Sequence, residues 1–77
     1  ENVLEGLKFV FTGRLDDFTR SEAERAVENR GGRATSSVSS VTDYLVAGEN
    51  PGSKYEAAQE QGTEIIDEEE FKEMIRT

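Results

Sequence analysis

The sequence predicts an α/β domain with a mainly parallel sheet covered by helices on both faces. Three observations predict it. Residues 8–13 read Lys-Phe-Val-Phe-Thr-Gly, a short apolar run closed by a turn signal, which suits a strand buried on both faces. A second run of this kind, Tyr44, Leu45, Val46 and Ala47, lies beyond a helical stretch. The segments follow the order β-α-β-β-α-β-α, and strands alternating with helices are the pattern of parallel strands joined by crossovers.

Leu4 and Leu7 lead into the first strand, with Gly6 as a turn between them. After Gly13 comes a polar loop, residues 14–18, whose Leu15 and Phe18 are expected to tuck inward. Thr19 and Glu22 form a T-x-x-E capping box, in which hydroxyl and carboxylate satisfy free amides at a helix start. Ala23, Ala26 and Val27 give the first helix a narrow apolar stripe, and Gly31 and Gly32 stop it. Arg33, Ala34 and Thr35 are short and polar enough for an edge strand. Residues 36–42 are serine-rich, a connection whose Val38 and Val41 are expected to dip into the core. Residues 48–52, Gly-Glu-Asn-Pro-Gly, are a loop. Ser53 and Glu56 repeat the capping spacing and predict Ser53 as the cap of a second helix carrying Tyr55, Ala57 and Ala58 and closed by Gly62. Ile65 and Ile66 make a short strand. Asp67 opens a third helix whose apolar face is Phe71, Met74 and Ile75.

Composition narrows the chemistry. The 77 residues make one small domain with a modest core, and the expectation is a single domain over residues 1–77 excised from a longer protein. There is no Cys and no His, which removes disulfides, Cys-based zinc sites, His-metal sites and Ser-His or Cys-His catalysis. No apolar run approaches the ~18 residues of a membrane span, and no membrane partner is expected. Neither G-x-G-x-x-G nor a P-loop pattern is present, so no catalytic residue, metal ligand or cofactor is assigned to the chain. The net charge of −8 opposes nucleic-acid binding, yet it is uneven. Residues 1–40 hold seven acids and six bases, whereas residues 41–77 hold ten acids and only Lys54, Lys72 and Arg76 as bases. A locally basic face in an acidic protein is compatible with that distribution. So is an acidity that serves only solubility.

Thr12 and Gly13 stand at the carboxyl end of the first strand, where ligands collect in open α/β sheets. With Thr19 and Ser53 as caps, Arg20 and Lys54 would each occupy the first helical position. A cation there opposes the helix dipole at typically ~0.3–1 kcal/mol, and acids would serve stability better. Two helices breaking one local rule favour a functional reason. Glycine lets backbone approach an anion, threonine donates a hydroxyl bond, and two cations add charge-assisted bonds. The plain alternatives are a strand-end turn and two cations extended into water. Arg14 is a weaker candidate, because a solvated loop arginine would look the same. Arg30, Arg33 and the acids at 68–70 read as solvent-facing charge, and Tyr44 and Phe71 as core.

The ordered set of Thr12 and Gly13, Gly31 and Gly32, the Thr-Asp-Tyr-Leu-Val run at 42–46, the Gly-Ser-Lys at 52–54, and the final strand followed by an aromatic residue resembles the BRCT domain over nearly the whole chain. The family usually carries a tryptophan in the last helix, where Phe71 stands here. With residues 37–42 and 46–54, that departure is similar to the C-terminal BRCT domain of NAD-dependent DNA ligases. The BRCT domain of the replication factor C large subunit, the clamp-loader type, is the runner-up.

The resemblance implies a four-stranded parallel sheet in the order 2-1-3-4, with the first and third helices on one face and the second on the other. It implies a phosphate site at Thr12, Gly13 and Lys54, joined by Arg20 in the clamp-loader type. By the same resemblance the module is non-catalytic and docks on DNA at nicks or 5′-phosphorylated ends; the net charge of −8 makes that affinity weak and strongly salt-dependent in expectation. Other domains of the parent protein are further partners. NAD and Mg would belong to the parent enzyme, whose setting would be the cytoplasm or nucleoid of a prokaryote, or the nucleus for the clamp-loader type. The alternative is a protein-interaction module that reads a phosphopeptide.

Overall fold

The computed structural model describes residues 3–76. Its elements are β1 (Lys8–Thr12), α1 (Arg20–Glu28), β2 (Arg33–Thr35), β3 (Tyr44–Ala47), α2 (Ser53–Gln61), β4 (Glu64–Ile66) and α3 (Glu68–Arg76). The four strands form one sheet in the order β2-β1-β3-β4, every neighbouring pair parallel. This is the expected topology.

β1 is central, and alternation along it builds both halves of the core. Phe9 and Phe11 face one side, with Ala23 and Val27 of α1, Val46, Ile66 and Phe71 of α3. Val10 faces the other side, with Leu45 and Ala58 of α2. Thus α1 and α3 cover one face and α2 the other. Phe71 has no solvent exposure and meets Phe9, Phe11 and Phe18 edge-on at centroid distances of 6.1, 5.2 and 5.8 Å. Edge-to-face rings at these separations add to the hydrophobic gain, because the positive rim of one ring meets the negative face of another.

Thr19 caps α1 as its pattern predicts: its hydroxyl accepts from the Glu22 amide at 3.1 Å and its own amide donates to Glu22 Oε1 at 2.9 Å. Asp67 and Glu70 make the same reciprocal pair at the start of α3, at 2.8 and 3.2 Å. The second helix differs from expectation. Gly52, at φ +76°, is its N-cap and no side chain caps it, so Ser53 is the first helical residue and Lys54 the second. The loop enters α2 through a positive-φ residue, a geometry that leaves the serine hydroxyl one position too late to cap.

Three smaller expectations also change. α1 ends at Glu28 with Asn29 as a right-handed cap, and the left-handed residue is Gly31, two positions later. Val38 packs beneath α2 as expected, but Val41 is 60% exposed. At that turn Thr42 is the buried residue, its hydroxyl accepting from the Ser39 amide at 2.9 Å. Arg30 is not solvent-facing charge. Its guanidinium donates to the carbonyls of Ala26 at 2.9 Å and Ile75 at 2.8 Å, tying together the C-terminal ends of α1 and α3. Cations belong at helix C-termini, where free carbonyls concentrate negative potential. Among the described residues no helix is long and apolar enough to cross a membrane.

Candidate functional site

The chain leaves β1 through a tight junction with the loop after β3. The Thr12 carbonyl accepts from the Gly48 amide at 2.8 Å, and Arg14 and Glu49 exchange two backbone bonds of 2.9 Å each. Gly13 sits between these anchors at φ +77°. A Cβ there would lie 2.5 Å from the Glu49 carbonyl oxygen, so glycine is required by conformation and by space. Parallel pairing on that edge of β1 has already ended, since its register with β2 stops at Val10 and Thr35. The Gly13 amide accordingly has no hydrogen-bond acceptor among the described residues.

Beyond Gly13, residues 14–18 turn over the end of the sheet. Leu15 and Phe18 pack against the core beneath, as expected. Above them runs an open groove of about 630 Å³, extending from Gly13 to Glu22. It gathers Gly13, Arg14 and Arg20 along its walls, together with the carboxylates of Asp16, Asp17 and Glu22. Arg20 is the first residue of α1, as predicted; it is exposed and makes no ion pair among the described residues. Two of the acids are engaged elsewhere: Glu22 in the α1 capping box and Asp17 in an ion pair with Lys72.

The other two predicted residues lie apart from this groove. Thr12 is only 5% exposed, and its hydroxyl donates to the Pro51 carbonyl. The hydroxyl thereby fastens the 48–52 loop to the end of β1, three residues ahead of Lys54. Lys54 itself, partly buried in the first turn of α2, does not line the groove. Gly13, Arg14 and Arg20 are therefore brought together, Thr12 lies behind them, and Lys54 stands on the neighbouring loop-helix junction.

Replacement of Thr12 separates fastening from surface contact. Thr12→Val is expected to lower stability by about 1–3 kcal/mol, because the Pro51 carbonyl loses its donor. Thr12→Ser should recover most of that loss. Urea unfolding of both variants checks it, and equal losses in the two would remove the hydroxyl's role.

Glu68 is a contributor that sequence reasoning missed. Its two carboxylate oxygens accept from the amides of Asp16 at 2.9 Å and Asp17 at 2.7 Å. A run of three glutamates at a helix start reads as solvated charge, and no local pattern shows one of them reaching 51 or 52 residues back.

A four-stranded parallel sheet in this order, with its open groove beyond the central strand, defines the class. Residues 1–75 match the family model for the BRCA1 C Terminus (BRCT) domain, and the chain belongs to that family. Its relatives include a DNA ligase of Thermoanaerobacter sp. (strain X514), 53% identical over 75 residues and 97% of this chain. Another is a DNA ligase of Halothermothrix orenii, 58% identical over 73 residues and 95% of this chain. A DNA ligase of Coxiella burnetii is 53% identical over 74 residues and 96% of this chain. The chain spans 11% of the length of each. Among solved structures, Rad4 BRCT1,2 in complex with a Crb2 phosphopeptide and in complex with a Mdb1 phosphopeptide share the fold, each with a TM-score of 0.84 at 24% identity. They match 97% and 99% of this chain and 41% of their own.

Proposed function

We propose that this BRCT domain is a non-catalytic DNA-contacting module of a DNA ligase, and that its groove seats a backbone phosphate, best a 5′-phosphate at a nick or end. The observation that carries the reading is Gly13, whose amide has no acceptor among the described residues and which lines one groove with Arg14 and Arg20. An amide in a positive-φ turn beside two guanidinium groups is suited to phosphate oxygens, which accept several charge-assisted bonds at once. Thr12 and Lys54 support the site in this reading, Thr12 by fixing the loop and Lys54 by adding positive charge at the neighbouring start of α2. The bacterial ligase relatives support a ligase parent over a clamp loader. Its joining chemistry, with NAD and Mg as cofactors, would reside outside this chain, in a bacterial cytoplasm or nucleoid.

A second reading, phosphopeptide recognition, draws on Asp16 in the same groove, whose carboxylate has no partner among the described residues. It suits a ligand that carries a cationic side chain beside its phosphate better than it suits bare DNA.

The test is a low-salt NMR titration with two nicked duplexes that differ only in a 5′-phosphate or a 5′-hydroxyl. Phosphate-dependent shifts are expected at Gly13, Arg14 and Arg20, with affinity falling steeply as salt rises. Arg20→Met should make the log affinity against log salt shallower by about one. Equal shifts with both duplexes would reduce the site to general backbone contact. No shifts with either would overturn the DNA reading and direct the titration to phosphopeptides.

A further inference from the structure

We propose that Glu68 is the positioning residue of this groove, acting from α3 through the loop that joins Gly13 to α1. The inference rests on the phosphate-seating reading above. Each Glu68 carboxylate oxygen accepts one amide, Asp16 at 2.9 Å and Asp17 at 2.7 Å, so two consecutive peptide units of the groove wall hang on a single side chain. Both bonds are charge-assisted, about twice as strong as neutral ones. The support behind them is rigid. Glu68 begins α3, which is capped by Asp67 and Glu70 and anchored by the fully buried Phe71 three residues on. Lys72, one turn after Glu68, pairs with the Asp17 side chain and holds the same loop from the same helix.

Without these ties, residues 15–18, beyond the Arg14–Glu49 backbone pair, would depend on the partly buried Leu15 and Phe18 alone. Those contacts set depth but not the direction of the peptide units. Glu68 sets that direction, and with it the spacing between the free Gly13 amide and Arg20 at the far end of the loop.

The role is opposite in sign to its charge. A carboxylate next to an anion site weakens anion binding through space, so removing it should help if charge alone mattered. If Glu68 positions the loop, removing it should hurt. Glu68→Gln separates the two cases: it deletes the charge, keeps one acceptor, and turns an amide donor toward a backbone donor. Glu60→Gln, an exposed acid of α2 with no ion pair among the described residues, supplies the effect of one unit of net charge on the surface.

The experiment measures affinity of the 77-residue chain for the 5′-phosphate and 5′-hydroxyl nicked duplexes, with hydrogen exchange at the Asp16 and Asp17 amides in the absence of DNA. Glu60→Gln should raise affinity for both duplexes alike. Glu68→Gln should reduce the preference for the phosphorylated nick about threefold or more, and speed exchange at the two amides by a similar factor. A Glu68→Gln chain that follows Glu60→Gln on both duplexes overturns the positioning role, and unchanged exchange overturns the anchoring. If the unsubstituted chain binds neither duplex, the phosphate reading fails, and the exchange rates alone decide whether Glu68 holds the loop.

Discussion

Phe71→Ala is expected to lower the stability of the domain by about 3–5 kcal/mol, the largest effect of any single side-chain truncation here. The ring is fully buried and contacts Phe9, Phe11 and Phe18, so its loss leaves a cavity bounded by three rigid rings that collapse poorly. Small domains are stable by only about 5–15 kcal/mol, and a chain of this size sits toward the low end, so the variant should be largely unfolded near 37 °C. Urea unfolding monitored by far-UV circular dichroism measures it. A loss below about 1 kcal/mol would mean that α3 is not the keystone of that face. Phe71→Leu should fall between the variant and the parent, since it keeps much of the volume and loses the ring edges.

Gly13→Ala should be nearly as damaging to the fold and more damaging to the site. A non-glycine residue at φ +77° costs about 1–3 kcal/mol by conformation alone, and the new methyl would also stand 2.5 Å from the Glu49 carbonyl oxygen. Relief requires the Arg14–Glu49 pair of backbone bonds to open, which moves Arg14 and the groove wall with it. Gly62→Ala is the control. That residue has φ +75° and nothing within 4 Å of its added Cβ, so it carries the conformational cost without the collision. The expected result is a larger stability loss at Gly13 than at Gly62, with phosphate-dependent shifts abolished only at Gly13. Equal losses at both positions would show that the junction yields without cost.

What was legible in the sequence was local or periodic. Thr19 and Glu22, like Asp67 and Glu70, satisfy each other within one turn, so spacing alone reveals them. The Phe9, Val10 and Phe11 run announced a strand buried on both sides, and the flanking patterns placed the helices. Ser53 and Glu56 have the same spacing as Thr19 and Glu22 yet form no box, because the conformation at Gly52 decides where α2 begins. Val41 looked like Val38, but only Val38 reaches the core across the turn. The groove was half legible. Gly13 and Arg20 announced themselves by a turn signal and a misplaced charge, whereas Glu68 and, through its bond to Ile75, Arg30 act on groups far along the chain, where no spacing rule applies.

The placement of β1 bears on how this domain tolerates inserted and deleted codons. Its alternating side chains feed two separate apolar clusters, and its last residue delivers the chain to Gly13. Removing one residue from the strand would send Phe9 and Val10 to exchanged faces and draw the turn one position into the sheet. Stability and the groove beyond Gly13 would be lost in one step, with no neighbouring element able to absorb the slip. The serine-rich connection at 36–40 is indexed only where Val38 meets the core and Ser39 meets Thr42, and lengthening it at the exposed Ser36 and Ser37 adds only a small loop-closure cost. Length variation in this domain should therefore collect there and be absent between Lys8 and Gly13, a boundary drawn by the geometry of one strand rather than by the chemistry of any one residue.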